Sequence, residues 1–288
     1  MTQLTFKDLD AATEDYDLIL FDLWGVIVEG EEVYPGVVDA INQVLEKKDV
    51  IFLTNAPRPA FKVAENLRHW GMHDVTEEMV ITSGDIARQL IEEQKVVLGG
   101  KTPVIYHLGA DRNDDLLTEF DHQLTKDLSK ADILLLSLYR DQHEDLEEFD
   151  ELLKQAAKLP DLLNICSNPD TTIPKQEIVR YCAGHFAAII EKFGGKVTYT
   201  GKPKNIIYDA VFKRKKSTKK NRILMVGDTF EKDILGANEA GIDSALVLSG
   251  NSKPFHYMHS NMDDKMKALF EHGKKLGIMP TLVTRTTK

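Results

Sequence analysis

The stretch Leu18-Ile19-Leu20-Phe21-Asp22-Leu23-Trp24-Gly25 decides the fold. Four consecutive apolar residues run straight into an aspartate and then a glycine turn. An apolar run this short, with no alternation, reads as a strand buried on both faces, as in a parallel sheet. The same pattern recurs at Val50-Ile51-Phe52-Leu53 before Thr54-Asn55, and at Ile223-Leu224-Met225-Val226 before Gly227-Asp228. Helical segments alternate with these runs over 37–47, 60–70, 206–212 and 233–240. Gly71 and Gly241 fit as stops for the second and fourth, and a further strand is expected over 244–248. This βαβ series predicts a doubly wound α/β domain with a parallel sheet. In such sheets ligands bind beyond the carboxyl ends of the strands, where Asp22, Thr54 and Asp228 all fall.

The middle of the chain has its own pattern. Strands are expected over 104–109, 133–137 and 162–166, with helices over 146–159 and 181–191. This stretch can bury a core of its own. The expected organisation is therefore a discontinuous core domain, 1–84 and 196–288, with a second α/β domain, 85–195, inserted between its halves.

Composition agrees with a globular chain. Its 288 residues are 42% hydrophobic and carry a net charge of −10. That balance argues against a dedicated nucleic-acid binder, which needs clustered Lys and Arg on phosphates. One basic run, Lys213 to Lys220 (KRKKSTKK), stands out; it reads as a solvated loop with helix-end cations rather than a nucleic-acid patch, since it lacks interleaved aromatics. No apolar stretch approaches the roughly 18 residues a membrane helix needs. The first residues lack the basic start and apolar run of a signal peptide. Two cysteines, Cys166 and Cys182, have neither metal nor redox spacing and read as plain thiols, so a cytoplasmic setting is expected.

The chemistry lies in five residues. Asp22, Asp228 and Asp233 would place three carboxylates around one crevice, where they would raise one another's pKa values and repel a phosphate dianion. A hard divalent cation removes that conflict, and Mg²⁺ prefers oxygen ligands and bridges carboxylates to phosphate. Lys202 adds a compact positive charge, and the Thr54 hydroxyl can orient phosphoryl oxygens. Phosphoryl transfer asks mainly for such positioning and charge stabilisation.

Four motifs in order carry a resemblance: Asp22-Leu23-Trp24-Gly25-Val26, Leu53-Thr54-Asn55, Gly201-Lys202-Pro203, and Gly227-Asp228-Thr229-Phe230-Glu231-Lys232-Asp233. Together they resemble the haloacid dehalogenase superfamily of phosphotransferases, most of all its class IIA, NagD-like branch, over nearly the whole chain. The inserted segment is similar to a class IIA cap at Ile81-Thr82-Ser83-Gly84, Asn168-Pro169-Asp170 and Pro174. The resemblance implies an α/β core with a cap domain, and a Mg²⁺-dependent phosphatase acting on a small phosphorylated metabolite. It implies Asp22 as nucleophile through an aspartyl-phosphate, assisted by Lys202. It also implies Asp22, Asp228 and the Trp24 backbone carbonyl on the metal, Asp233 supporting it through water, and Thr54 on the phosphoryl group. Asn55 and Asp170 would help orient substrate, and Arg58 would either reach a substrate anion or brace its loop. A cap over the site disfavours macromolecular substrates, and the branch is compatible with a homodimer.

One departure matters. The family's usual motif has a second aspartate at position 24, which protonates the leaving group and then activates water. The indole of Trp24 does neither, and general acid–base catalysis is worth about 10²–10⁴-fold. Three outcomes stay open: substrates whose leaving group needs little protonation, a proton from the cap or the substrate, or a weakly active or non-catalytic protein that binds a phosphometabolite. Cap candidates are His185, His107, Asp111 and Arg112. A dehalogenase would leave the acidic motif without purpose.

Overall fold

In a computed structural model, the described residues are 4–30, 32–109, 115–118, 121–175 and 178–286. The chain divides into two compact units. One comprises Met1–Thr54, Phe61–Ile81 and Lys202–Lys288, and the other Asn55–Ala60 and Thr82–Gly201. These divisions fall a few residues from the expected 84 and 196. The short loop Asn55–Ala60 joins the second unit because its bonds go there. Thr82 Oγ1 donates to Arg58 O at 2.6 Å, Gly84 N donates to Ala56 O, and Ala60 N donates to the Asp85 carboxylate.

The first unit holds a six-stranded sheet in the order Leu282–Thr284, Asp243–Val247, Ile223–Gly227, Leu18–Phe21, Asp49–Thr54, Val80–Thr82. Leu18–Phe21 pairs in parallel with Ile223–Gly227 on one side and Asp49–Thr54 on the other. The strand sequence LILF is buried at every position, as a central parallel strand requires. Phe21 stacks on Phe52 across the ladder, ring centroids 6.3 Å apart. Strand order runs outward in both directions from Leu18–Phe21 and Ile223–Gly227, so the topological switch point lies between them. The doubly wound α/β core expected from the sequence is borne out. Leu246, Leu248 and Val283 pack against Met266 and Leu269 of the Met262–Leu276 helix, whose first turn is capped by Asn261 accepting from Asp264 N.

The second unit has a five-stranded sheet, ordered Thr198–Tyr199, Leu163–Cys166, Ile133–Ser137, Val104–Gly109, Gln123–Leu124. Helices cover both faces: Leu134 and Leu136 meet Phe186 and Ile190, while Ile133 and Leu135 meet Ala87 and Ile91. Both cysteines are buried thiols outside any disulfide, as expected of plain thiols.

A three-stranded antiparallel sheet, Thr172–Lys175, Ile178–Cys182, Tyr139–Asp141, had no sequence signal. Its pairing shortens one expected helix. Tyr181 and Cys182 lie opposite Arg140 and Tyr139, so helix begins at Ala183 rather than 181. The helix expected over 146–159 spans only Asp150–Ala156. Before it, Asp145 Oδ1 accepts from Glu147 N and Arg140 pairs with Glu148, and this side-chain bonding competes with helix. No helix among the described residues is long and apolar enough to cross a membrane.

The basic run works as local anchoring. Arg214 donates to the carbonyls of Glu78 and Val80, Lys215 pairs with Asp49 at 2.9 Å, and Lys220 donates to Ala240 O while lying over the Phe212 ring.

Candidate active site

Asp22 sits one residue past its strand and continues the ladder, its N–H donating to Val226 O at 2.9 Å. The chain then turns tightly: Ile27 N and Val28 N both donate to Leu23 O, and Gly25 N donates to Val28 O. Gly25 holds φ +84°, and a side chain there would run into the Asp228 carboxylate, so glycine is required twice over. Asp228 leaves the neighbouring strand at Gly227, where a Cβ would collide with Asp233. Asp233 itself lies on a π-helical turn, Phe230–Ile234, that leads into the Leu235–Ala240 helix. Such turns recur at functional sites because the widened ring re-aims a side chain. Here the Asp233 carboxylate folds back so that Oδ2 accepts from the N–H groups of Asp228 and Thr229, both at 3.1 Å.

The three aspartates converge. A carboxylate oxygen from each of Asp22, Asp228 and Asp233 lies within 4.8 Å of the others. Lys202, contributed by the chain just after the second unit, places Nζ 2.6 Å from Asp22 Oδ1 and 2.7 Å from Asp233 Oδ1. Exposure is 8% for Asp22, 2% for Lys202 and 1% for Asp228 and Asp233, so these charges meet largely out of water.

Burial sets the electrostatics. It pushes Asp22 up to about 8; the Lys202 cation opposes this, and Asp233 and Asp228 add to it. Burial, then Asp233, pushes Asp228 up to about 6, against hydrogen bonds from Asn251 and Thr229. Lys202 is held above its ordinary value, because Asp22 and Asp233 outweigh its desolvation. Three carboxylates against one ammonium leave a local excess of negative charge. Hard oxygen donors gathered at this spacing fit one divalent cation, whose opposite ligands stand about 4 Å apart for Mg²⁺.

A stability prediction follows from the signs. Both carboxyls have folded values above their ordinary 3.8, so they favour the folded state only while protonated. Their contribution is fully present below about pH 4 and is lost as pH rises through about 6 and 8. The metal-free protein is therefore expected to lose melting temperature between about pH 5 and 8 relative to an Asp22→Asn variant. Added Mg²⁺ should raise the melting temperature more at the higher pH; an equal rise at both would contradict this account.

The other sequence candidates are placed as follows. Thr54 is buried at the carboxyl end of its strand. Trp24 is 42% exposed and offers no proton-transfer group. In the second unit, Asn55 Nδ2 donates to Asp170 Oδ1 at 3.0 Å. Arg58 forks onto Asp115 Oδ2, at 2.8 Å from Nη2 and 3.3 Å from Nε, which is the geometry of a loop brace. His107 Nε2 lies 2.7 Å from Ser137 Oγ. His185 packs edge-on against Tyr181 and Phe186, and burial lowers its pKa. Asp111 and Arg112 lie outside the described residues.

Sequence reading missed Ser249-Gly250-Asn251. Asn251 donates to Asp228 Oδ2 from its backbone N at 2.6 Å and from Nδ2 at 2.8 Å. Ser249 Oγ donates to Gly25 O at 2.6 Å. The signal was present, since these residues follow a parallel strand at its carboxyl end, the same rule that found Asp22 and Asp228.

The model of the haloacid dehalogenase-like hydrolases matches residues 16–241. The chain belongs to that family. Its match spans all four sequence motifs, so the expected superfamily membership is borne out, and the protein is a hydrolase of that kind. An acid sugar phosphatase of Staphylococcus epidermidis is 25% identical over 242 residues, covering 82% of this chain and 88% of the relative. A haloacid dehalogenase-like hydrolase from Brucella suis 1330 is 28% identical, covers 98% of both chains and superposes with a TM-score of 0.75. NagD of E. coli K-12, 20% identical, shares the fold over 93% of this chain and 96% of its own, with a TM-score of 0.67.

Proposed function

We propose that this chain is a Mg²⁺-dependent phosphomonoesterase that acts on a small phosphorylated metabolite through an aspartyl-phosphate at Asp22. The observation that carries the reading is the buried Asp22–Lys202–Asp233 contact, with Asp228 alongside, at the switch point of a parallel sheet. A buried nucleophile paired with a buried lysine is more than binding alone requires. The name of the S. epidermidis relative supports trying sugar phosphates first.

In this mechanism Asp22, Asp228 and the Trp24 carbonyl would hold the cation, with Asp233 supporting it. The bound cation would supply charge neutralisation between carboxylates and phosphoryl oxygens. Asp22 attacks phosphorus, the bond to the leaving oxygen breaks, and water later hydrolyses the aspartyl-phosphate. Lys202 steadies the Asp22 carboxylate and the incoming negative charge. Thr54 binds the phosphoryl group, while Asn55, held by Asp170, orients the substrate. Arg58 braces its loop.

Release of phosphate from p-nitrophenyl phosphate, dependent on Mg²⁺ and stopped by chelator, tests the reading. Trp24 favours one alternative, a protein that binds a phosphometabolite without turning it over. Calorimetry showing tight binding and no phosphate release would decide for that alternative.

The same residue yields a sharper prediction. With no acid at position 24, leaving groups that need protonation should react slowly. Trp24→Asp is expected to speed alkyl phosphates by at least about tenfold and aryl phosphates little, out of the roughly 10²–10⁴-fold that acid–base catalysis can supply. An equal effect on both classes would mean that another group delivers the proton.

A further inference from the structure

The loop after the Asp243–Val247 strand grips the buried Asp228 carboxylate directly. Asn251 donates twice to Asp228 Oδ2, from N at 2.6 Å and Nδ2 at 2.8 Å. Its Nδ2 also donates to Thr229 Oγ1 at 3.1 Å, and that hydroxyl donates to Asp228 Oδ1 at 3.0 Å. A carboxylate offers roughly four acceptor positions. Three are engaged here, which leaves about one for a cation. The loop is itself tied down. Ser249 Oγ donates to Gly25 O, Gly250 N donates to the Tyr34 hydroxyl at 3.2 Å, and Ser252 Oγ donates to Asp228 O at 2.7 Å.

We propose that Asn251 is a positioning residue that presents Asp228 to the divalent cation in a single orientation. The inference rests on the reading of the three-aspartate cluster as a cation site. Its physical content is the pairing of strength with neutrality. The amide and backbone N–H groups fix the carboxylate without placing a positive charge beside the incoming cation. A lysine at this position would compete for the same oxygens, as Lys202 does at Asp22 and Asp233. Partners that orient a metal-binding carboxylate typically carry about 10–100-fold in metal affinity.

The test is Mg²⁺ binding by calorimetry, with no turnover involved, on the full chain. Asn251 is exposed, so truncation opens no cavity. Asn251→Ala keeps the backbone donor and should weaken Mg²⁺ about tenfold, the low end of that range. Its melting temperature in chelator should fall only modestly, because Asp228 keeps the Asn251 backbone donor and the Thr229 hydroxyl. Asn251→Gln, which moves the amide by one methylene, should weaken binding in the same direction and guards against a folding defect in the alanine variant. Lys253→Ala removes a surface ion pair with Glu29 from the same segment without touching the Asp228 carboxylate and should stay within about twofold of wild type. Wild-type affinity in both Asn251 variants would overturn the inference. So would an equal loss in Lys253→Ala, which would mean that integrity of the segment rather than the Asn251 donor matters. A wild-type chain that binds no Mg²⁺ would instead overturn the cation reading itself, and this inference with it.

Discussion

Asp22→Asn is expected to abolish Mg²⁺-dependent phosphate release from an aryl phosphate, by at least about 10⁴-fold, as removal of a covalent nucleophile does. The amide keeps the shape and a hydrogen-bonding oxygen for Lys202, but it cannot attack phosphorus. Stability should move the other way. Asp22 is pushed up to about 8 by burial, so its ionised form costs folding free energy at neutral pH in the metal-free protein. The variant should therefore melt no lower than wild type without metal, and higher at about pH 8. Lost activity together with retained or raised stability separates a chemical role from a structural one. Full activity in Asp22→Asn would sink the nucleophile assignment.

Lys202→Met should have the largest effect on stability. Its ammonium is 2% exposed and sits 2.6 and 2.7 Å from two carboxylates. Methionine matches the length of the stem but leaves those carboxylates facing each other across apolar atoms. Breaking one side of a buried ion pair typically costs about 3–5 kcal/mol, because the remaining charge stays unpaired. Denaturant unfolding in chelator would show the loss. Its pH dependence identifies the cause: the penalty should shrink at about pH 5, where the Asp22 carboxyl is protonated, and grow towards about pH 8. A penalty that is flat with pH would point to lost packing instead.

Much of the core was legible because its signals are local. Four apolar residues before Asp22 cannot stay in water on either face, and the order of such runs in the chain implied parallel strands joined by helices. The strands at Leu18–Phe21, Val104–Gly109 and Ile133–Ser137 appear at the expected residues. What failed was decided by partners distant in the chain. Tyr181 and Cys182 have helix-compatible neighbours in sequence, yet they pair with Arg140 and Tyr139 some forty residues earlier and become strand. The π-helical turn at Phe230–Ile234 was likewise invisible, since its sequence FEKDI suits an ordinary helix.

By itself the sequence determined the family, the parallel core and the residue types of the site: three aspartates and a lysine, with a tryptophan where an acid is expected. The family follows from the resemblance of four motifs, and the parallel core from apolar runs over a few consecutive positions. The tertiary structure alone decided how those side chains are shared. It placed Lys202 between Asp22 and Asp233 rather than beside Asp228, and it turned Asp233 back onto the N–H groups of Asp228 and Thr229. It also brought Asn251 onto the Asp228 carboxylate and Arg58 onto Asp115. Those choices depend on which carboxylate oxygen lies nearest which donor once the strands are in register, a distance that no stretch of sequence encodes.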